Sequence, residues 1–345
     1  MVISLGTTFP KNWQYGPEEI EIFQSTIQQV EKHFPDQNNL VINTTWFGPQ
    51  FNNKPWKELI DITQPIDNLF LLSVIDPLYW DEDSIAETEK RLRVKKTYRI
   101  GMFADSKHEW NFHSFTTAKL APDYSENDVK LISPDWAFLL YQRKPRAHRV
   151  ELTNMLIEKK LNTRGIITLG SNKNSNYDWS DGQQGPVLTI EDYPSNYKHN
   201  GNHDDFDGVP NDLVSVGRLD IWQRHFLNIV SETEFNHWQP RFVTEKTWKP
   251  IIGLRPFVIH GQTSIYLWLQ NNGFKTFGKY WPHIEIETGA DQHGNVLKVI
   301  EFVSGKSSEE LLCMYQDMYR DLLYNRERYF EFAREQKYRM NHIFE

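Results

Sequence analysis

The sequence predicts an α/β protein built from two βα units, and three observations carry that expectation. Short apolar runs alternate with polar or helix-patterned segments through the first part of the chain, as in a sheet whose strands are joined by helices. The alternation starts again near residue 136, with a complete strand, helix and strand ending at residue 170. At 345 residues the chain is also longer than most single domains, so two of ordinary size are expected.

In the first unit, residues 17 to 33 have a helical pattern. Apolar runs at 40–46, 69–75 and 98–104 follow as strands, the second stopped by Asp76 and Pro77. In open α/β sheets ligands collect beyond the carboxyl ends of the strands. That position singles out Trp46, Asp76, Asp105 and the 108–110 segment with Glu109, although each carboxylate also suits a turn or a helix cap. The basic run from Lys90 to Lys96 lies between a helix and the third strand, and such runs are ordinarily solvated faces.

The second unit opens with the apolar strand 136–141, ending at Tyr141. A loop carrying Arg143, Lys144, Arg146 and Arg149 leads to a helix with Leu152, Met155 and Leu156 on one face, and Lys159 and Lys160 stand at its favourable C-terminal end. Residues 166–170 are the returning strand. Cations between a strand and a helix sit where phosphates bind, and guanidinium groups match phosphate oxygens with paired donors, though a basic loop can equally be solvated. Residues 171–212 are polar and rich in Asn, Asp, Gly and Ser. Within them, His203, Asp204, Asp205 and Asp207 resemble a divalent-cation cluster, but no strand leads into it.

Residues 225–230 form a further strand, followed by a turn at Ser231, Glu232 and Thr233. Thr244 then reads as the N-cap of a helix through Glu245, Lys246 and Lys249 to Gly253, feeding the apolar strand at 256–261. Free N–H groups at such a helix start attract anions, Lys246 adds charge, and the Glu245 carboxylate suits a ribose. An ordinary capped helix with one ion pair fits the same residues. Thr263 and Ser264 read as the cap of a helix ended by Asn272 and Gly273, and Ser307 with Glu310 as a capping box opening a long terminal helix able to pack back on the first domain. The expected division is 1–134, 135–306 and 307–345.

Composition sets limits. With 39% hydrophobic and 14% aromatic residues the chain can build real cores, so it is globular. The single cysteine, Cys313, allows no internal disulfide and reads as packed in an apolar helix. No apolar run approaches a membrane span and the start lacks signal-peptide character, so a cytoplasmic setting is expected. A net charge of −8 argues against a surface built for long nucleic acid.

Three segments, in order, resemble the α-1,3-fucosyltransferases of glycosyltransferase family 10 and related phage and bacterial glycosyltransferase-like proteins. An apolar strand at 138–141 leads to a helix carrying Arg149. Ser231, Glu232 and Thr233 stand where the family has a phenylalanine, glutamate and asparagine turn. Thr244, Glu245 and Lys246 open a helix leading to the strand at Pro256, Phe257 and Val258. The resemblance covers roughly residues 136 to 280. It implies a GT-B fold, two Rossmann-like βα domains facing a central cleft, with the donor held by the second.

It further implies an inverting transfer without an active-site metal or other cofactor, from a GDP- or UDP-linked sugar to a hydroxyl of a glycan or small molecule. Arg149 and Lys246 would neutralise the diphosphate and Glu245 would hold the ribose. Tyr141, Arg143, Glu232, Thr244 and Lys249 complete the donor-side candidates. An inverting transfer needs a base, and the candidates are Asp105, Glu109 and Asp76. The departure at Ser231 and Thr233 means that fucose is not implied. Rival readings are a phage-type transferase acting on a hydroxymethylated base in DNA, against which the acidic total counts, a non-catalytic nucleotide- or carbohydrate-binding protein, and a metal-dependent transferase using Asp204, Asp205 and Asp207.

Overall fold

A computed structural model describes residues 1–5, 16–44, 62–74, 82–102, 108–121, 123–142, 146–169, 216–217, 219–236 and 241–345. The chain divides into two compact units, one of Met1–Thr116, Pro240–Phe242 and Ala333–Glu345, the other of Thr117–Gln239 and Val243–Phe332. It therefore leaves the first unit near residue 116, within a helix, where the sequence suggested residue 134.

The first unit contains β1 (Val2–Leu5), α1 (Gly16–His33), β2 (Asn39–Asn43), β3 (Asn68–Ser73), α2 (Glu82–Leu92) and β4 (Lys96–Gly101). The strands form a parallel sheet in the order β1-β2-β3-β4. β2 and β3 are buried along their whole length, which is why they appear in the sequence as unbroken apolar runs and not as alternating patterns. β1 is absent from the predicted set because its four half-buried residues make too short a run to signal a strand.

The basic run divides between elements. Lys90 and Arg91 occupy the last turn of α2, where the helix dipole favours them, and exposed Lys95 pairs with Asp67 at 2.6 Å. Residues 333–345 count with this unit. Phe344 packs edge-on against Phe34 and Phe70, and Gln336 accepts a hydrogen bond from the Asn111 N–H at 2.9 Å.

After α3 (Phe112–Leu120) and α4 (Glu126–Val129), the second unit contains β5 (Trp136–Gln142), α5 (Ala147–Glu158), β6 (Gly165–Leu169), α6 (Leu219–Trp222), β7 (His225–Ser231), α7 (Glu245–Ile252), β8 (Phe257–His260), α8 (Ser264–Asn271), α9 (Gln292–Ser304) and α10 (Ser308–Asn341) as far as Phe332, the rest of α10 counting with the first unit. Its sheet is parallel with the order β6-β5-β7-β8. One core of aliphatic side chains, Trp222, Trp248 and Trp281 fills both faces.

The capping expectations divide. Thr244 caps α7 in extended backbone, its side chain accepting from the Lys246 N–H. Gly253 closes that helix at φ −84°, so it is there for space and not for a left-handed turn. A Cβ on it would lie 2.3 Å from the Trp222 ring, whose Nε1 donates to the Gly253 carbonyl at 2.7 Å. Ser307 and Glu310 exchange both bonds of a capping box at the start of α10. Thr263 does not cap α8 as expected, because its backbone is already helical and its hydroxyl makes no cap bond. Cys313, expected to be packed, is exposed.

Candidate functional site

The second sheet has a topological switch point. From β5 the chain goes to β6 on one side and then crosses to β7 on the other, so the connections leaving the carboxyl ends of β5 and β7 part in opposite directions. A crevice opens at such a point, and in α/β sheets it is where ligands bind. The connection from β5 reaches Arg146 and then α5. Arg146 is the N-cap in extended backbone, its side chain makes no cap bond, and the first turn of the helix has no acid. The positive end of α5 thus carries Arg146 and Arg149, a concentration of positive charge suited to an anion.

Across the switch point stands the turn that leaves β7. Arg149, only 3% exposed, turns its Nη2 to that turn and donates to the carbonyls of Ser231 at 2.9 Å and Glu232 at 3.1 Å. His148 Nε2 lies 3.2 Å from the Glu232 carbonyl, and its ring stacks on Phe235 with centroids 5.0 Å apart. Burial, then the neighbouring Arg149 charge, pushes the His148 pKa down to about 2. The ring is therefore neutral, and Nε2 must carry the proton it donates to that carbonyl. Arg146 Nη1 stands 4.0 Å from Glu234 in the same turn.

Glu232 itself is fully buried and points the other way, into the start of α7. One carboxylate oxygen accepts from the Thr244 N–H at 3.1 Å and the Thr247 hydroxyl at 2.6 Å. The other accepts from the Thr244 hydroxyl at 2.6 Å and the Thr233 N–H at 3.3 Å. A carboxylate at a helix N-terminus is favoured by both the free N–H groups and the dipole. The anion that the α7 start attracts is thus supplied by the chain. Half-buried Lys246 lies beside it, with Nζ 2.8 Å from Glu245, 3.0 Å from the Thr244 hydroxyl and 3.4 Å from the Thr233 hydroxyl. Glu245 is 4% exposed.

Of the residues predicted from the sequence, the structure gathers Arg149, Glu232, Thr244, Glu245 and Lys246 around the Glu232–Thr233 turn. Tyr141 is half-buried near the end of β5, paired with Thr168, and Lys249 is half-buried in the last turn of α7. Glu109 belongs to the first unit. A bridge to Gly101 holds it there, and it pairs with Arg241 at 2.6 Å. Gly101 has φ +103°, and a Cβ would meet the Ser73 carbonyl oxygen at 1.9 Å, so only glycine fits.

Asp76, Asp105, Arg143 and the 203–207 acidic cluster lie outside the described residues. Among the described residues no group of three His, Cys, Asp or Glu side chains is arranged to hold a metal. Sequence reading gave no site role to His148, Phe235, His260 or His293. Only His148 had a signal, its place in the basic loop after β5.

No family model matches the chain, and no curated protein matches it. One solved structure resembles it. That structure is a crystal structure of an alpha1,3-fucosyltransferase, with 10% sequence identity and a TM-score of 0.40, covering 97% of this chain and 89% of that one. The local chemistry at the switch point is that of a cationic helix start, whose N-cap side chain makes no cap bond, facing a turn whose carbonyls are already engaged. Such a place takes an anion, while Lys246 and Glu245 offer a cation and a carboxylate close by.

Proposed function

We propose that the protein is a glycosyltransferase that takes a nucleoside-diphosphate sugar at the switch point of its second sheet and passes the sugar to a hydroxyl of a glycan or other small acceptor. The observation that carries this reading is the start of α5, with no acid in its first turn and with Arg146 and Arg149, set against the Glu232–Thr233 turn. There Arg146, the α5 N–H groups and Lys246 neutralise the diphosphate as it leaves, the task a metal performs in other transferases. Arg149 keeps the turn in place and adds its charge from below. Glu245, beside Lys246, offers a carboxylate of the kind that accepts ribose hydroxyls. The general base that the transfer requires is drawn from Asp76, Asp105 and Glu109.

Calorimetric titration with GDP- and UDP-linked sugars tests the donor site. Arg146→Ala and Lys246→Ala should each weaken donor binding at least tenfold with an unchanged melting temperature in the absence of ligand. If both variants bind every donor as the parent does, the donor site is elsewhere. Slow release of free sugar from the donor without acceptor separates an enzyme from a protein that only binds.

A further inference from the structure

Beside the switch point, four side chains from four elements stand in line, the inner three joined by hydrogen bonds and the outer one set close as a charge partner. Ser231 Oγ, at the end of β7, lies 3.1 Å from His260 Nδ1, its register partner at the end of β8. His260 Nε2 lies 3.1 Å from His293 Nδ1 on α9, and His293 Nε2 lies 3.3 Å from the Glu151 carboxylate on α5. Ser231 and His260 are buried, while Glu151 is exposed. The chain thus runs from the interior to solvent. We infer that this chain is a protonation-driven latch, in which charging His293 at the outer end reverses every hydrogen bond inward to Ser231 and, by leaving the Ser231 hydroxyl proton without its acceptor, weakens the hold on the β7 turn of the site.

The direction of each bond follows from what each atom can do. The negative Glu151 carboxylate, 3.3 Å from His293 Nε2, favours the proton on that nitrogen, and a neutral His293 then has a bare Nδ1. That atom accepts from His260 Nε2–H, which leaves His260 Nδ1 bare to accept the Ser231 hydroxyl proton. When His293 takes up a proton it donates from both nitrogens. His260 must then accept at Nε2 and carry its one proton on Nδ1, donating to Ser231. The proton count balances: His293 goes from one ring proton to two, His260 keeps one but moves it, and Ser231 keeps its own.

His260 cannot share the charge. Burial first, and then neighbouring positive charge such as that of Arg149, hold it neutral far below the ordinary histidine value. Among the described residues the Ser231 hydroxyl meets only His260, so reversal leaves its proton without an acceptor. The main-chain carbonyl of this same residue, with that of Glu232, holds Arg149.

The groups facing the latch set the direction of its pH response. From α5 come His148, Arg149 and Glu151, from β8 His260, and from the start of α9 Asp291. Phe235 covers His293 at 4.4 Å between ring centroids. Burial lowers the His293 pKa and the carboxylates of Glu151 and Asp291 partly oppose it, so the latch is closed at neutral pH and opens below the usual histidine range.

Two-bond proton–nitrogen spectra of the full chain, labelled with nitrogen-15 in histidine, read the tautomers directly. At pH 7.5 both His260 and His293 should carry their proton on Nε2. On acidification His293 should become doubly protonated while His260, still neutral, moves its proton to Nδ1 at the same midpoint. Glu151→Gln, a change on the surface, should lower that midpoint for both rings together. A proton on Nδ1 of either ring at pH 7.5, a His260 that keeps Nε2–H through the His293 transition, or unfolding before His293 charges would overturn the inference. The latch deepens the donor-site reading in its consequence, but the spectra need no ligand, so either can fail without the other.

Discussion

Glu232 shows how much one buried residue can organise. Its carboxylate accepts from two backbone N–H groups and two threonine hydroxyls. Its carbonyl accepts from Arg149 and faces His148. The hydroxyls can rotate to other acceptors, whereas the N–H groups of Thr233 and Thr244 are fixed. Glu232→Ala therefore leaves fixed, poorly hydrated donors and should cost about 3 kcal/mol, while Glu232→Gln, which keeps an acceptor oxygen and loses the charge, should cost about 1–2 kcal/mol. Urea unfolding of the three proteins checks the order; an alanine variant as stable as the parent would mean that the network contributes nothing net. The sequence showed that Glu232 stands in a turn after a strand. It could not show that the side chain turns away from the switch point, because that depends on where Thr244 and Thr247 arrive from twelve and more residues further on.

At the scale of elements, what the sequence revealed was what local chemistry decides. β2, β3, β5, β7 and β8 announce themselves as apolar runs because both faces of a parallel sheet are covered. Ser307 and Thr263 divide on the same principle. Both are hydroxyl residues before an apolar helix, yet Ser307 has Glu310 three residues on to return the bond, and the two close a box. Thr263 sits in helical backbone at φ −63° and ψ −26°, which turns its hydroxyl away from the orphan N–H groups. Ser307→Ala should accordingly lower stability by about 1 kcal/mol and Thr263→Ala by less than about 0.5 kcal/mol. Thermal melts of the two variants side by side test this, and equal losses would contradict the assignment of the caps.

Over the whole molecule, the meeting of α5, the β7 turn and α7 was the least legible feature. It is made largely through backbone carbonyls, which every residue possesses and no residue type advertises. The same burial that hides this assembly from the sequence governs how the protein responds to acid. His148, His225 and His260 are all held neutral, first by burial and then by nearby positive charge. In the unfolded chain each would titrate at about 6.5. Below that value the unfolded state therefore binds protons that the folded state refuses, and stability falls as pH falls.

The carboxylates of Asp67, Asp128, Glu310 and Asp321 are shifted down in the folded chain, so what they contribute is lost only at lower pH, in and below the usual carboxylate range. The histidines decide the first loss. Each gives up about 1.4 kcal/mol between about pH 7.5 and 5.5, so the three together should cost the fold about 4 kcal/mol over that interval. Urea midpoints measured at those two values, at constant ionic strength, provide the test. A stability that stays level, or rises on acidification, would mean that these rings are protonated in the folded chain and that the buried histidine cluster is charged, not neutral.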